Sequence, residues 1–415
     1  MKNFVKKISA YLPKFLLRFF YAIYEKRYKF YCKGRLNTEG VNFYINKPNN
    51  KNNNRKKRIL FYQKGGLNFG GTEKFLQIIA KHLPKDKFDV FFMASWDESK
   101  NNRLGYLRNE NIKFINFSYS DIDNDFPYFI NKQNPDVFSV IRDNDIDIVV
   151  SAGPGYCDYP LNMIRNVPII LIGVFGYVTL QKNVKKQIYI SGEVGDKVHK
   201  LINKEKTYLM PNQTEGPGVS AEEDGLKLRH SLGIDDSVFV FGRVGRPDDG
   251  IFDPIGIKAF QKLLDKHSSV AYLIMSPPPI LKKMVKEENI PNIYFLEPSA
   301  EERDIWAFHC AIDVLAHFRL DGESLGLNII ESMLCGNSVI THKSLVWNAH
   351  LEYLDDSFSR VARHDDFEQY CKFMEELIDY RKDGKLASMG LMARSKAEKL
   401  FLIKNRLPEI ISWFD

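Results

Sequence analysis

Ten short apolar runs between Arg58 and Lys343, separated by polar or helix-patterned stretches, constrain this chain more than any other feature. The first five are "RILFYQ", "FDVFFMAS", "IDIVVSAG", "VPIILIGVFG" and "QIYISG". Compact, unbroken apolar runs of this length are what strands covered on both faces require. The first run leads into "KGGLNFGG" and then into "TEKFLQIIAKHL", where Phe75, Ile78, Ile79 and Leu83 share one helical face. Strand, glycine loop and helix in that order open a doubly wound α/β domain. After "TYLMPNQTEGPG", the residues Pro211, Gly216, Pro217 and Gly218 break the pattern, and "AEEDGLKLRHSLGI" reads as a helix. A second series then begins with "SVFVFGRVGRPDDG", "VAYLIMSP", "NIYFLEP", "AIDVLAHF" and "SVITHK". The expected fold is therefore α/β, with two Rossmann-like doubly wound domains facing a central cleft. No repeat of 20–50 residues is evident.

A chain of 415 residues with 44% hydrophobic content can fill two cores. The expected divisions are an N-terminal extension and linker over 1–57, one Rossmann-like domain over 58–215 and a second over 216–395. A C-terminal helix over 396–415 is free to pack back on the first. Charge is segregated along this layout. Residues 1–58 hold 16 Lys or Arg against Glu25 and Glu39, while the remainder holds 43 bases and 50 acids. Winding Pro13 to Lys33 as a helix gathers Lys14, Arg18, Lys26, Lys29 and Lys33 on one side. Leu16, Phe19, Phe20, Ile23, Tyr24, Phe30 and Tyr31 fall on the other, with Arg27 the exception. Such a basic amphipathic helix suits an anionic membrane surface met through residues 1–35, or else docks its aromatic face on the body. Asn46 to Arg58 cannot bury a core and reads as a linker. No run of 18 apolar residues and no signal-peptide pattern is present. The five cysteines are odd in number and lack C-x-x-C spacing, which argues against a disulfide framework or zinc site. A cytoplasmic protein, peripheral at the membrane, is expected.

The densest chemistry lies in "DGESLGLNIIESMLCGNSVITHK", Asp321 to Lys343. If a helix starts near Leu325 or Gly326, Glu331 stands about 8–9 Å inside it while Glu323 stays at its mouth. The backbone N–H groups of Ser324, Leu325, Gly326 and Leu327 lie between them and favour a bound phosphate. Carboxylates accept well from paired sugar hydroxyls. One ligand could then meet Glu323 at a sugar, the amides at a diphosphate and Glu331 at a ribose. Spacing alone equally allows a capping glutamate and a surface glutamate on a core helix.

"ESLGLNIIESMLCGNSVIT" resembles the signature of retaining GT-B glycosyltransferases of family 4, in which two glutamates with seven residues between them precede a small-Cys-Gly turn. "GGTEKFLQIIAKHL", "QIYISGEVGDKV", "YLMPNQTEGP" and "VFVFGRVGR" resemble other parts of that family, in family order, from about Arg58 to Lys343. The resemblance implies sugar transfer from a UDP- or GDP-sugar to a glycan or lipid-linked acceptor, with retention of anomeric configuration and no cofactor or metal. It implies Glu331 on the ribose, Glu323 beside the transferred sugar, amides from Ser324 to Leu327 on the diphosphate and Arg246 gripping the same group. Preorganised donors there stabilise the charge that builds on the leaving diphosphate. Two positions depart from the pattern. Ile251 stands where a lysine is usual, with Arg243 a possible substitute, and Phe175 stands where many members carry a histidine.

Other features are weighed alongside. Gly65, Gly66, Gly70 and Gly71 read either as a tight turn or as a loop over diphosphate and acceptor. A P-loop is excluded, because Gly71 holds the position of its lysine. Glu73 reads as a first-turn helix residue. Asp248 and Asp249 cap a helix, orient Arg246 or meet the sugar. Asp145 and Asp147 form an Asp-x-Asp but read as loop and strand start rather than a manganese site. His317, shortly before Glu323, reads as a structural residue or a donor contact. No nucleic-acid-binding motif is present and no nucleic-acid partner is expected. The rivals to a transferase are another GT-B activity, such as a hydrolase or epimerase, and a non-catalytic nucleotide-sugar-binding scaffold.

Overall fold

In the computed structural model, the described residues are 55–67, 70–97, 102–123, 130–200 and 207–415, with Phe19, Ile23, Lys26, Arg27, Ile202 and Glu205. All but four residues of the expected N-terminal helix, and the linker up to Asn54, lie outside them. The chain divides into two compact units, each described by itself. One holds the described residues of Met1–Asn68 with Thr72–Pro211 and Leu407–Asp415, and the other holds Phe69–Gly71 with Asn212–Arg406.

The first unit runs β1 (Lys57–Gln63), α1 (Gly71–His82), β2 (Phe88–Ala94), α2 (Leu104–Leu107) and β3 (Ile112–Asn116). A hairpin of β4 (Ser118–Asp123) and β5 (Ile130–Asn134) follows, then α3 (Val137–Asp143), β6 (Ile148–Gly153) and β7 (Ile169–Gly173). The unit's remaining strands and helix are β8 (Val184–Tyr189), α4 (Gly192–His199) and β9 (Thr207–Leu209). Its sheet has the order β3-β2-β1-β6-β7-β8-β9, all parallel. β7 is apolar throughout because helices cover both faces, and Ile169 and Ile172 are fully buried, as are Ile59, Leu60 and Phe61 in the middle of β1. Asp136 caps α3 by accepting from the amides of Phe138 and Ser139, and Ser191 caps α4 by accepting from Val194. Phe414 packs on Phe88 with ring centres 5.5 Å apart.

The second unit runs α5 (Ala221–Ser231), β10 (Phe239–Val244), α6 (Ile255–Leu264), β11 (Val270–Met275), α7 (Pro279–Glu287), β12 (Ile293–Leu296) and α8 (Glu302–Ala311). β13 (Val314–Ala316), β14 (Gly322–Glu323), α9 (Leu327–Leu334), β15 (Ser338–His342), β16 (Trp347–Asn348) and β17 (Ser359–Ala362) follow. The chain closes with α10 (Phe367–Lys382), α11 (Lys385–Phe401) and α12 (Ile403–Ile411). The sheet order is β12-β11-β10-β13-β15-β17, again parallel, with β14 and β16 as a separate short pair. Both sheets are therefore doubly wound, as the alternating pattern predicts. All ten sequence-predicted strands are present. β3, the hairpin, β9, β14, β16 and β17 are additions.

Candidate functional site

The order of the second sheet reverses between β10 and β13. Ligands of open α/β sheets bind outside the carboxyl ends of the strands at such a switch point. Two polar side chains stand there. Arg243 is the fifth residue of β10, paired in register with Ile274, and only 3% exposed. Its guanidinium lies 5.0 Å from the Phe318 ring and 5.8 Å from the Phe252 ring. No carboxylate pairs with it among the described residues, and its Nη1 is buried without a hydrogen-bond partner. Desolvation lowers its pKa from 12.5 to about 10. A buried cation in this state is costly unless an anion joins it.

His317 follows β13 directly and is 4% exposed. Its amide donates to the Ile340 carbonyl at 2.8 Å, and its own carbonyl accepts from the Tyr370 hydroxyl at 3.2 Å. The ring is held at both nitrogens, with Nδ1 3.1 Å from Thr341 Oγ1 and Nε2 3.1 Å from Glu323 Oε1. Burial would raise the pKa of Glu323, but the His317 hydrogen bond and the Arg319 charge outweigh it and hold the carboxyl at about 2. Arg319 lies 3.4 Å from the same oxygen and is itself clamped by Asp321. Desolvation keeps His317 below its ordinary value. A neutral ring facing a carboxylate carries its proton on Nε2, which leaves Nδ1 to accept from Thr341.

The helix carrying the second glutamate starts at Leu327, one or two residues later than its expected start, with Gly326 at the N-cap. Gly326 has φ +89°, and a Cβ there would stand 3.0 Å from the Tyr353 hydroxyl and 3.1 Å from Ile329 Cδ1. Only glycine fits both demands. Tyr353 donates to the Leu325 carbonyl at 2.6 Å, fixing the peptide before the helix. The amides of Leu325 and Gly326 reach no backbone acceptor among the described residues. That of Leu327 sits in the first turn, where no earlier carbonyl is available. Asn328 donates to the Val244 carbonyl at 2.9 Å and so ties this turn to the end of β10, beside Arg243. Glu331 is the fifth helical residue, about 6 Å along the axis from Leu327. It is 6% exposed, with the His309 ring nitrogen 3.7 Å from its carboxylate. Ser324 and Leu327 are half-buried, and Leu325 is buried. Arg246 lies past the strand end and is exposed.

No protein-family model matches the sequence, and no curated protein matches it. Solved structures do. A glycosyltransferase from Rickettsia africae superimposes with a TM-score of 0.66 at 14% identity, over 87% of this chain and 98% of that one. HepE from Anabaena, solved with UDP and glucose, gives 0.65 at 18% identity over 85% and 99%. WaaG, a glycosyltransferase involved in lipopolysaccharide biosynthesis, gives 0.60 at 15% identity over 85% and 98%. The fold is GT-B.

Within this GT-B chain the remaining sequence candidates are placed as follows. Gly65, Gly66 and Gly70 lie between β1 and α1, and Gly71 opens α1; Asn68 and Phe69 fall outside the described residues. Gly66 has φ +87°, and its carbonyl accepts from the Gln63 side chain, as in a tight turn. Glu73 is in the first turn of α1. Phe175 is 44% exposed after β7. Asp248 caps the short turn Asp249–Ile251 by accepting from Gly250, while Asp249 accepts from Ile280 at 2.9 Å. The carbonyl of Ile251 accepts from Leu320 at 3.1 Å. Asp145 and Asp147 are both paired with Arg55, at 2.9 and 2.8 Å. Among the described residues no group of His, Cys, Asp and Glu could hold a metal ion. No helix among them is long and apolar enough to cross a membrane. Sequence reasoning did not find Arg319, Thr341, Asn328 or Tyr353. Arg319 carried a faint signal, four positions before Glu323.

Proposed function

We propose that this chain transfers a sugar from a nucleoside-diphosphate sugar, with UDP the first candidate, to a glycan or lipid-linked acceptor with retention of configuration. The observation that carries the reading is the buried, carboxylate-free Arg243 at the switch point, next to the amides of Leu325, Gly326 and Leu327. A diphosphate satisfies both. Glu331 then accepts from the ribose hydroxyls and Glu323 from the sugar. Glycosyl–phosphate cleavage leaves negative charge on the diphosphate, where Arg243 and the helix N-terminus receive it. Same-face attack lets the leaving phosphate take the acceptor proton. Protein groups carry the diphosphate charge, without a metal. HepE was solved with UDP and glucose, which supports UDP as the nucleotide. The basic residues 1–58 and the involvement of WaaG in lipopolysaccharide synthesis support an acceptor held at an anionic membrane. Sedimentation of the full chain with anionic vesicles tests that part.

Ile251 in place of a lysine and exposed Phe175 in place of a histidine favour a second reading, a nucleotide-sugar-binding protein without turnover. Thermal unfolding against UDP, GDP, ADP, CMP and their sugar conjugates separates the two when followed by product analysis. One nucleotide class should stabilise the chain, and Glu331→Ala should lose that stabilisation. No shift in folded protein would sink both readings. A shift without any transferred or hydrolysed sugar would leave only the second.

A further inference from the structure

Two half-buried cysteines meet where the C-terminal ends of α8 and α9 come together. Cys310 lies in the last turn of α8 and Cys335 caps the C-terminus of α9, and their sulfurs are 3.2 Å apart. A disulfide bond is about 2.05 Å long. Closing the remaining gap of roughly 1 Å takes side-chain rotation rather than a rebuilt backbone. The backbones are fixed by glycine contacts. A Cβ on Gly225 of α5 would stand 2.7 Å from the Cys310 carbonyl carbon, and one on Gly390 of α11 would stand 2.0 Å from the Gly336 carbonyl oxygen. Asn337 adds a brace, donating to the His309 carbonyl at 2.6 Å and lying 3.1 Å from Ser332 Oγ.

We propose that Cys310 and Cys335 form a reversible dithiol–disulfide site, oxidised by a small disulfide such as oxidised glutathione. The Cys310 thiolate attacks one sulfur of glutathione disulfide and releases one glutathione. The Cys335 thiol gives its proton to solvent and attacks the Cys310 sulfur, releasing the second glutathione. Two protein thiols are oxidised and one glutathione disulfide is reduced to two thiols. The order follows from the environment. The hydrogen bond between the thiols draws Cys310 below the ordinary thiol value, while that bond and burial push Cys335 well above it. Cys310 is thus the attacking sulfur and Cys335 the resolving one.

The pair is wired to the nucleotide end, a consequence that rests on the function proposed above. The Cys335 amide donates to the Glu331 carbonyl at 3.3 Å, and His309, the residue before Cys310, has its ring 3.7 Å from the Glu331 carboxylate. Oxidation replaces two rotatable thiols by a bond across the C-terminal ends of α8 and α9, and so restricts the adjustment of the segments that carry His309 and Glu331. A several-fold weaker UDP affinity is expected in the oxidised chain.

The test uses the full-length protein, reduced, incubated with oxidised glutathione, alkylated and digested with trypsin without reduction. Cleavage after Arg303, Arg319 and Lys343 places Cys310 in residues 304–319 and Cys335 in residues 320–343. One cross-linked pair of these peptides, released by dithiothreitol, is expected. Cys335→Ser should instead retain glutathione on Cys310. Stable glutathione on Cys310 of the unmutated chain, or alkylation of both cysteines, overturns the site. Calorimetry with UDP on the two mapped forms reads the coupling, and equal affinities overturn it. Failure of the reduced chain to bind UDP counts against the nucleotide reading and leaves the disulfide result standing.

Discussion

Replacing Arg243 by methionine should make the unliganded chain more stable while removing its response to UDP. The guanidinium is 3% exposed, and desolvation takes its pKa from 12.5 down to about 10, although the Glu323 charge opposes the shift. At about 1.4 kcal/mol per pKa unit, that depression corresponds to about 3 kcal/mol against the charged folded state. The folded pKa lies below the unfolded one, so this penalty is complete at every pH under about 10 and fades only as pH rises toward 12.5. Methionine removes the charge and fills much of the same space. It forfeits desolvated contacts of Arg243 with Phe318 and Phe252, worth about 2 kcal/mol each, of which the methionine sulfur against the same rings returns about 1 each. A net gain of about 1–2 kcal/mol remains, or roughly 2–8 °C in Tm for a domain of this size. Differential scanning calorimetry with and without UDP measures both terms. Arg246→Met, at an exposed position, is the control and should change neither by much. A variant at Arg243 that is less stable than the parent yet still responds fully to UDP would refute the idea that this cation awaits an anion.

Gly326→Ala places a β-carbon at φ +89°, 3.0 Å from the Tyr353 hydroxyl, and should cost about 1–2 kcal/mol in backbone strain with a further loss from crowding. Gly384→Ala, at φ +76° with nothing within 4 Å, should show the backbone cost alone, so urea melts of the two isolate the crowding. Glu323, held at about 2 against an ordinary 4.5, should contribute about 3 kcal/mol above pH 4.5 and lose it as pH falls toward 2. Unfolding of Glu323→Gln across that window should show a shallower acid slope than the parent, since Asp224 and other depressed carboxyls keep theirs, and an unchanged slope would remove the assignment. Stabilisation by UDP should survive excess EDTA, since the diphosphate charge is assigned to Arg243 and the α9 amides; its disappearance would show that a metal carries that charge.

The strands visible in the sequence were those buried on both faces, where nearly every residue must be apolar. β7 and β11 have that character from end to end. β3 and β17 lie at sheet edges, half-exposed, and "IKFIN" and "SRVA" carry too little apolar contrast to stand out. The site divides the same way. Glu323, Glu331 and the amides between them are local in the chain, so their spacing is legible. Thr341 reaches His317 only because β15 lies beside β13, and Tyr353 reaches Leu325 from 28 residues away. Neither contact leaves a trace in spacing.

The diphosphate arginine was ambiguous for a different reason. The resemblance puts the role at Arg246, yet "GRVGR" spells glycine–arginine twice, three positions apart, so a slip of one repeat moves it to Arg243. Strand register breaks the tie. Arg243 is within the paired ladder of β10, opposite Ile274, so its side chain must enter one face of the sheet at the switch point. β10 ends at Val244, whose carbonyl is claimed by Asn328, and Arg246 emerges into solvent two residues later. A mobile surface arginine pays side-chain entropy to hold an anion, whereas one already fixed between Phe318 and Phe252 has lost that freedom on folding. Under the proposed function, preorganisation therefore favours Arg243 for the leaving-group charge. Comparing UDP affinity in Arg243→Met with Arg246→Met decides it, for a larger loss at Arg246 would return the role to the exposed residue.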